Sequence, residues 1–354
     1  MREPGINMEN KHMKKLNVAL IGLGRAGWKH HAPHISDHPG LLFTAAADPV
    51  AERRAEAEKN FKVHTYADYR EMFAKEKLDL VVIASPTHLH KEQAIAAFEK
   101  GLDVFCDKPL TPSLADADEL IAAMKRTGRK LMVFQPHRVG ADVQTAKKII
   151  DSGVLGPLFL FKRASSGYVR RNDWQALSKY GGGMINNYGA HMVDQFTYLF
   201  AQKVVKIESH KRCIATLGDA EDVFEAFFQL ENGILVDLDI NTANALPVQP
   251  WMICGKYGAA ALNAKEDGFK VRYFRPEEAP KAELQEGVAA ANRVYDSAPP
   301  LPWREEEHLF NDIQPFLFYR ACYEFFAEGK PPIVPVEQTR EVLRILEECR
   351  NSRG

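Results

Sequence analysis

Short apolar runs alternate with longer amphipathic stretches through the first part of the chain. The apolar runs are LNVALIGL, LLFTAAAD, LDLVVIAS, DVFCD and KLMVF, and stretches of ten or more residues with a helical pattern separate them. Strands joined by connections of this length predict a parallel, doubly wound sheet of the α/β class. We predict this domain over residues 15–136, after a loose polar tail at residues 1–14.

The second part of the chain, residues 137–354, has a different pattern. A helix is predicted near residues 141–152, and the stretches VVKIESHKRCIAT, DVFEAFFQLENG and ILVDLDINT have the pattern of neighbouring antiparallel strands. Glu231-Asn232-Gly233 is a predicted hairpin turn between two of them. These features predict a second α/β domain with a mostly antiparallel open sheet.

Composition and charge exclude several classes of protein. The 354 residues carry a formal net charge of -1 without a cluster of basic and aromatic residues, so we predict no nucleic-acid partner. No apolar run approaches the roughly 18 to 20 residues that span a bilayer, so no membrane association is predicted. The five cysteines are scattered without CxxC spacing, which is typical of reduced thiols. Because no apolar signal-peptide core follows the first residue, we expect a cytoplasmic protein.

The motif GLGRAG follows the first apolar run and precedes a helical pattern. In this context Gly22 permits a tight turn, Gly24 lets the backbone approach a pyrophosphate, and Gly27 lets helix and strand pack closely. Asp48 ends the next apolar run, 21 residues after Gly27, where its carboxylate could accept hydrogen bonds from an adenosine ribose. The alternative is that these residues serve only turns and helix caps.

The cofactor predicted from this fingerprint is NAD. A carboxylate at Asp48 would repel the 2'-phosphate of NADP. Arg53 and Arg54 lie close enough in sequence to leave NADP possible, although we expect both on the solvent face of the following helix.

Four of the twelve histidines fall within nine residues, at His30, His31, His34 and His38. Three of them have i, i+4, i+8 spacing, which can indicate a metal site. No cysteine or acidic cluster stands near them in the sequence to complete a coordination shell. We therefore predict no metal and interpret the group as a solvated or partly packed helix face.

Two further motifs carry side chains suited to proton transfer. In CDKPL, Asp107 and Lys108 follow an apolar strand and should emerge at the carboxyl edge of the sheet, where ligands of open α/β folds bind. Lys108 could hold a substrate oxygen there, or could simply precede a turn proline. In GGGMINNYGAH, Asn187 and His191 have i, i+4 spacing, so the amide could orient an imidazole that moves a proton. A surface or packed histidine is the alternative.

Six features in order resemble the Gfo/Idh/MocA oxidoreductase family over nearly the whole chain: GLGRAG, Asp48, SPTHLH, CDKPL, FQPHR and RNDWQALSKYGGGMINNYGAHMVDQ. The resemblance implies an N-terminal Rossmann domain, a C-terminal domain whose open sheet mediates contacts of a homodimer or homotetramer, and NAD(P)-dependent chemistry on sugars, cyclitols or related polyols. It also implies that Lys108 is a catalytic lysine and that His191, with Asn187 beside it, is a catalytic acid/base.

The fingerprint and the resemblance together assign residues to the cofactor and to the substrate. The cofactor-binding residues are Gly22, Gly24, Arg25, Ala26, Gly27, Asp48, Ser85, Pro86, Thr87, His90, Asp107, Lys108 and Gln135. The substrate-binding residues are Lys108, Arg138, Tyr168, Trp174, Asn187 and His191. For Tyr168, Trp174 and the neighbouring Arg171, packing between the domains is an equal alternative.

The chain departs from the family pattern at three positions. Asp107 stands where Glu is usual, and His137 stands where an arginine or similar residue is common. Asn187 stands where Asp is common, and an amide cannot stabilise an imidazolium by charge. Asn187 therefore either only orients His191 and the substrate, or the proton follows another path.

The activity implied by the resemblance is hydride transfer from a secondary alcohol of a sugar or cyclitol to NAD(P), with Lys108 and His191 at the reacting oxygen. Two alternatives remain. One is an NAD-dependent glycosidase of the same superfamily, which would use the cofactor without net oxidation. The other is a ligand-binding regulator without catalysis.

Residues 275–307 interrupt the strand pattern with five prolines among many glutamates. Loops of this length are usually functional or mobile. Trp303 and Arg304 are residue types enriched in interfaces. We predict that the segment lies over the substrate cleft or at a subunit interface, with a mobile loop as the alternative.

Overall fold

The computed structural model describes residues 13–284, 298–313 and 317–352. The first domain is a six-stranded parallel sheet in the order β3-β2-β1-β4-β5-β6. Its strands are β1 Leu16–Ile21, β2 Leu41–Ala47, β3 His64–Tyr66, β4 Leu80–Ile83, β5 Asp103–Asp107 and β6 Leu131–Phe134. Its helices are α1 Ala32–Asp37, α2 Ala51–Phe61, α3 Tyr69–Lys75, α4 His90–Glu99 and α5 Leu114–Thr127. This is the predicted doubly wound fold, with the strand order of a dinucleotide-binding domain.

The second domain is built on an eight-stranded sheet in the order β14-β13-β12-β11-β7-β10-β9-β8. Its strands are β7 Leu158–Ser166, β8 Val204–Arg212, β9 Val223–Leu230, β10 Leu235–Asn241, β11 Trp251–Gly255, β12 Gly258–Leu262, β13 Gly268–Tyr273 and β14 Arg304–Leu309. Among the described strands of this sheet, β7 and β10 form the one parallel pair. The predicted class, a Rossmann sheet followed by a mostly antiparallel sheet, is therefore confirmed.

Helices cover one face of this second sheet. They are α6 Ala141–Asp151, α7 Ala190–Phe200 and α9 Val336–Asn351, while α8 Phe318–Glu328 packs elsewhere. Along β9 buried and exposed positions alternate, as expected when one face is covered and the other is open. The predicted hairpin turn joins β9 to β10, where Gly233 has a φ of 88° that favours glycine.

The last part of the chain returns to the first domain. Phe318, Tyr319 and Tyr323 of α8 are buried in the hydrophobic core of the parallel sheet. Helix α9 contributes Leu343 to that core and Leu346 to the core of the second sheet. The predicted domain boundary assigned all residues after 137 to the second domain. In the structure, α8 instead packs on the first domain, beside the ends of the parallel strands.

The segment 275–307 ends in a strand. Arg304 begins β14, which pairs with β13, and its guanidinium binds Glu278 at 2.6 Å. Trp303 packs edge to face on Phe274 and lies under the guanidinium of Arg272. Residues 285–297 lie outside the described residues, so a position over the cleft or at a subunit interface stays a prediction.

Candidate active site

One large cavity, of about 1160 Å³, lies at the carboxyl ends of the parallel strands and is closed on its far side by the second domain. The first domain contributes the segments that follow β1, β2, β4, β5 and β6. The second domain contributes residues 171–175 and the segment around α7. Ligands of open α/β sheets bind at this edge, which makes the cavity the candidate active site.

The glycine turn after β1 leaves its backbone open to the cavity. Gly22 has a φ of +92°, and a Cβ there would lie 2.7 Å from backbone atoms of Ala84. A Cβ on Gly27 would lie 1.9 Å from the carbonyl oxygen of Gly22, so only glycine allows this close packing. A Cβ on Gly24 would meet only the guanidinium of Arg53, at 3.9 Å. The turn therefore has the shape that a dinucleotide pyrophosphate requires.

Asp48 lies at the end of β2 and borders the same cavity. Its carboxylate is buried and accepts hydrogen bonds from the backbone N–H groups of Leu23, at 2.8 Å, and Val50, at 2.9 Å. These bonds fix the carboxylate at the end of β2, beside the glycine turn.

The two arginines after Asp48 have different positions. Arg53 is exposed on α2, as expected, but it also borders the cavity, with its Nη1 3.4 Å from the Asp48 carboxylate. Arg54 donates hydrogen bonds to the carbonyl oxygens of Asp48, at 2.8 Å, and Pro49, at 2.9 Å.

Ser85, Pro86 and Thr87 line the cavity, whereas His90 does not. The His90 ring is buried, with Nε2 2.8 Å from the Ser85 carbonyl oxygen and Nδ1 3.1 Å from that of Pro109. His90 therefore ties the segment after β4 to the loop that carries Lys108. Because its ring does not border the cavity, His90 can influence a bound cofactor only by positioning the segment after β4 and the loop that carries Lys108.

Lys108 projects into the cavity, where Nζ donates a hydrogen bond to the carbonyl oxygen of Asn187 at 3.1 Å. Burial lowers the pKa of the Lys108 ammonium, and the Asp107 carboxylate opposes this shift. Asp107 also faces His31, whose Nε2 lies 3.7 Å from its carboxylate and whose Nδ1 lies 2.7 Å from the Tyr319 hydroxyl. The lysine loop therefore contacts the π-helical turn Gly27–His31, which in turn contacts α8.

His191 borders the cavity beside Lys108. Its ring stacks on that of His137, with centroids 4.0 Å apart and planes 20° apart. Burial, the Lys108 ammonium and His137 all hold the pKa of His191 well below its ordinary value. The imidazole is therefore neutral near pH 7, which is the form that accepts a proton.

Asn187 does not make the predicted hydrogen bond to His191. Its side-chain amide donates to Gln175 at 3.4 Å, and Nδ1 of His191 is buried without a partner among the described residues. The reason is local: residues Ile185–Gly189 form a π-helical turn, so i, i+4 spacing no longer aligns the two side chains as in an α-helix. Glu221 supports this turn by accepting from the N–H of Ile185 at 3.0 Å.

Arg138 is placed away from the cavity, which corrects its prediction as a substrate contact. Its guanidinium is buried and binds the buried Asp194 carboxylate through two nitrogens. The remaining contacts go to the Ile333 carbonyl oxygen, at 3.0 Å, and the Gln338 side chain, at 2.6 Å. The residue joins the two domains rather than contacting a ligand.

Of three other predicted residues, two lie outside the cavity and one lines it. Gln135 is buried behind the cavity, with Oε1 lacking a partner among the described residues. Tyr168 is 60% exposed and lies outside the cavity, while Trp174 lines it. Residues that line the cavity without having been predicted include His30, His34, His137, Asp142, Gln175 and Tyr319. Asp142 and Tyr319 lie outside every motif, so only the folded chain brings them here.

The four histidines at positions 30 to 38 match only in part the expected solvated or partly packed helix face. His31 and His38 are buried, whereas His30 and His34 border the cavity. Within residues 13–284, 298–313 and 317–352, no group of three potential ligands could hold a metal ion. In the same residues, no helix has the length and hydropathy to cross a membrane.

Comparison with known families agrees with this geometry. Residues 16–135 match an oxidoreductase family described by its NAD-binding Rossmann fold, and residues 143–261 match the Gfo/Idh/MocA C-terminal domain. The first domain is therefore a nicotinamide dinucleotide-binding Rossmann domain. The chain belongs to the Gfo/Idh/MocA family.

Several relatives have names that state an activity. The chain is 31% identical to an inositol 2-dehydrogenase of Streptomyces avermitilis, over 64% of this chain and 65% of the relative. It is 28% identical to a D-glucoside 3-dehydrogenase of Escherichia coli, over 70% and 77%. It is 25% identical to a 2,7-anhydro-N-acetylneuraminate hydratase of Mediterraneibacter gnavus, over 72% and 69%.

The match extends over the whole chain in three dimensions. An NAD-binding protein from Listeria innocua superposes with a TM-score of 0.83 and 25% identity, covering 96% of this chain and 97% of the other. In sequence, the chain spans only about half the length of two uncharacterized oxidoreductases of Schizosaccharomyces pombe, 56% and 53%.

Proposed function

We propose that the protein is an NAD(P)-dependent dehydrogenase that acts on a secondary alcohol of a sugar, cyclitol or related polyol. The observation that carries the proposal is the convergence of Lys108, His191 and the glycine turn on one cavity. A binding protein has no chemical need for a buried ammonium beside a neutral imidazole at the nicotinamide end of such a site.

The residues divide the chemistry between them. Bound nicotinamide dinucleotide would supply the hydride acceptor. Lys108 donates a hydrogen bond to the alcohol oxygen and stabilises the negative charge that develops on it. His191, held neutral by burial and by Lys108, accepts the hydroxyl proton. Asn187, Gln175 and Trp174 line the same part of the cavity and offer polar and aromatic contacts to a hydroxylated ring.

A panel of inositols, free sugars and methyl glycosides, each scored for NADH absorbance, tests this proposal. We expect at least one polyol to reduce the cofactor. Inositols and glucosides should be assayed first, because two relatives are named as an inositol 2-dehydrogenase and a D-glucoside 3-dehydrogenase. Absence of reduction across the panel, together with release of a glycosidic or anhydro product, would favour the second candidate below.

The second candidate is a lyase or glycosidase that oxidises and reduces its substrate within one turnover. The relative named as a 2,7-anhydro-N-acetylneuraminate hydratase favours this candidate, because its name describes no net oxidation. Lys108 and His191 would then serve both half-reactions. Analysis of the products by mass spectrometry distinguishes the two candidates.

NAD is expected to bind more tightly than NADP, because the Asp48 carboxylate would accept hydrogen bonds from the ribose and repel a 2'-phosphate. Replacing Asp48 by Ser should narrow this preference by roughly tenfold or more, since Arg53 would lose its partner and face the phosphate. Titration of both nucleotides by fluorescence measures the ratio. Tighter binding of NADP by the wild-type protein would disprove this role for Asp48.

Asn187→Asp is expected to move the acidic limb of the pH-rate profile for oxidation to higher pH. A carboxylate near His191 raises the pKa of the imidazole, and oxidation requires the neutral imidazole, so activity is lost earlier as the pH falls. The wild-type limb should lie well below pH 6.5 because the His191 pKa is lowered. NAD affinity should stay unchanged. A limb at the same pH in both proteins would show that a carboxylate at position 187 does not reach the group that acts as the base.

The open face of the second sheet supports a proposed homodimer or homotetramer. Phe159, Phe227 and Leu235 are each at least half exposed on its strands. Contiguous apolar groups on a surface commonly mark protein contacts. Light scattering of the purified protein measures the oligomeric state, and a monomer at micromolar concentration would contradict the proposal.

A further inference from the structure

The His137 and His191 rings form a stacked pair on the wall of the cavity. His137 belongs to the short turn Pro136–Val139 that follows β6, while His191 lies in the first turn of α7. Their centroids are 4.0 Å apart and their planes 20° apart, so the flat faces are in contact. The pair therefore joins the catalytic helix of one domain to the sheet edge of the other.

His191 lacks the partner that usually orients a catalytic imidazole. A histidine that moves protons commonly donates its second N–H to a carboxylate or carbonyl group, which fixes the ring and its tautomer. In His191 this atom, Nδ1, is buried and has no partner among the described residues. The Asn187 amide is bound to Gln175. Packing must therefore set the ring orientation, and His137 supplies the flat surface.

The charged groups around the stacked pair disfavour protonation of both rings at once. Lys108 and His137 both act on His191 to disfavour its protonated form. Around His137, the Asp142 carboxylate favours protonation, whereas Lys108, Arg163 and His30 disfavour it. Two imidazolium rings at this separation, beside an ammonium, would repel each other strongly in a partly desolvated site.

We propose that His137 is a positioning residue that holds His191 by ring stacking, in place of a hydrogen-bonded partner. The proposal rests on the proposed role of His191 as the base. It assigns His137 a task in the reaction that requires the flat ring but neither of its nitrogens.

Two substitutions at position 137 distinguish the contribution of the flat ring to kcat from that of the ring nitrogens. His137→Phe keeps a flat ring of similar size and should leave kcat within about threefold of the wild type, because the stack persists. His137→Ala removes the stack and should lower kcat by roughly 10- to 100-fold with a smaller change in KM, because a misplaced catalytic group slows the chemical step. His210→Ala, which removes an exposed histidine of β8, is the matched control.

The kinetic outcomes decide between the ring and its nitrogens. Retention of kcat in His137→Phe together with loss in His137→Ala supports positioning by stacking. Equal loss in both variants overturns it, since the nitrogens of His137 would then be required. Full activity in His137→Ala also overturns it.

A measurement without substrate keeps the inference separate from the proposed function. In protein with ¹³C-labelled histidine, nuclear Overhauser effects from the His191 ring protons should report one ring orientation in the wild type and in His137→Phe. They should report averaged orientations in His137→Ala, whose ring at position 191 is free to turn. An unchanged set of His191 ring contacts in His137→Ala overturns the proposal even if the enzyme is active. Averaged orientations support it even if no polyol reduces the cofactor.

Discussion

His191→Ala is expected to lower kcat for polyol oxidation by roughly 10²- to 10⁴-fold, the usual contribution of a general base. The imidazole is neutral and borders the cavity beside Lys108, so it is suited to accept the hydroxyl proton at neutral pH. NAD binding should be largely kept, because the glycine turn and Asp48 belong to the other domain. Steady-state kinetics and nucleotide titration measure both quantities.

Lys108→Ala should lower kcat by a comparable factor, because the ammonium that stabilises the developing negative charge is lost. Lys91→Ala is the matched control, since Lys91 lies on the surface of α4 and binds Asp116 and Glu119.

If His191→Ala keeps nearly wild-type turnover on the best substrate, His191 is not the proton acceptor. Lys108 or a bound water molecule would then become the leading candidate.

Arg138→Met is expected to destabilise the protein by about 3 to 5 kcal/mol, because it leaves the Asp194 carboxylate buried without its partner. Urea unfolding followed by circular dichroism measures the change. Arg340→Met is the control. It breaks a surface pair with Asp118 and should have a small effect.

The loss of unfolding free energy in Arg138→Met should become smaller as the pH is lowered. Burial already raises the pKa of Asp194 above its ordinary value, and Arg138 opposes that shift. Without the arginine the folded-state pKa rises further, so the folded protein favours the protonated carboxyl group. Stability is then lost as the pH rises through the folded-state pKa, and the defect should shrink between pH 7 and pH 5. A defect that grows on acidification would show that Asp194 is not the group responsible.

The sequence predicts the regular parts of the fold well because their signals are local. Each apolar run in the first domain became a strand, and β9 and β10 meet at the predicted glycine turn. Strand β3 was not predicted because its three residues, HTY, carry no apolar run. The return of α8 to the first core has no local signal, since its apolar face fits either domain.

Motifs that fix the backbone bring their residues to the cavity, whereas the direction of a side chain follows from no spacing rule. Gly22, Asp48 and Lys108 all border the cavity. Arg138 follows a cavity-lining residue but turns inward to a buried carboxylate that no spacing rule identifies. The π-helical turn separates Asn187 from His191, because an i, i+4 rule assumes α-helical geometry.

Transfer of deuterium from substrate to cofactor tests the central claim most directly. The polyol that best reduces NAD is supplied with deuterium on its carbinol carbons, and the nicotinamide product is analysed by mass spectrometry. We predict one deuterium in the reduced cofactor, at a rate that falls together with kcat in Lys108→Ala and His191→Ala. Product formation at the normal rate, with no deuterium on free or bound cofactor, would contradict hydride transfer as the reaction of this site.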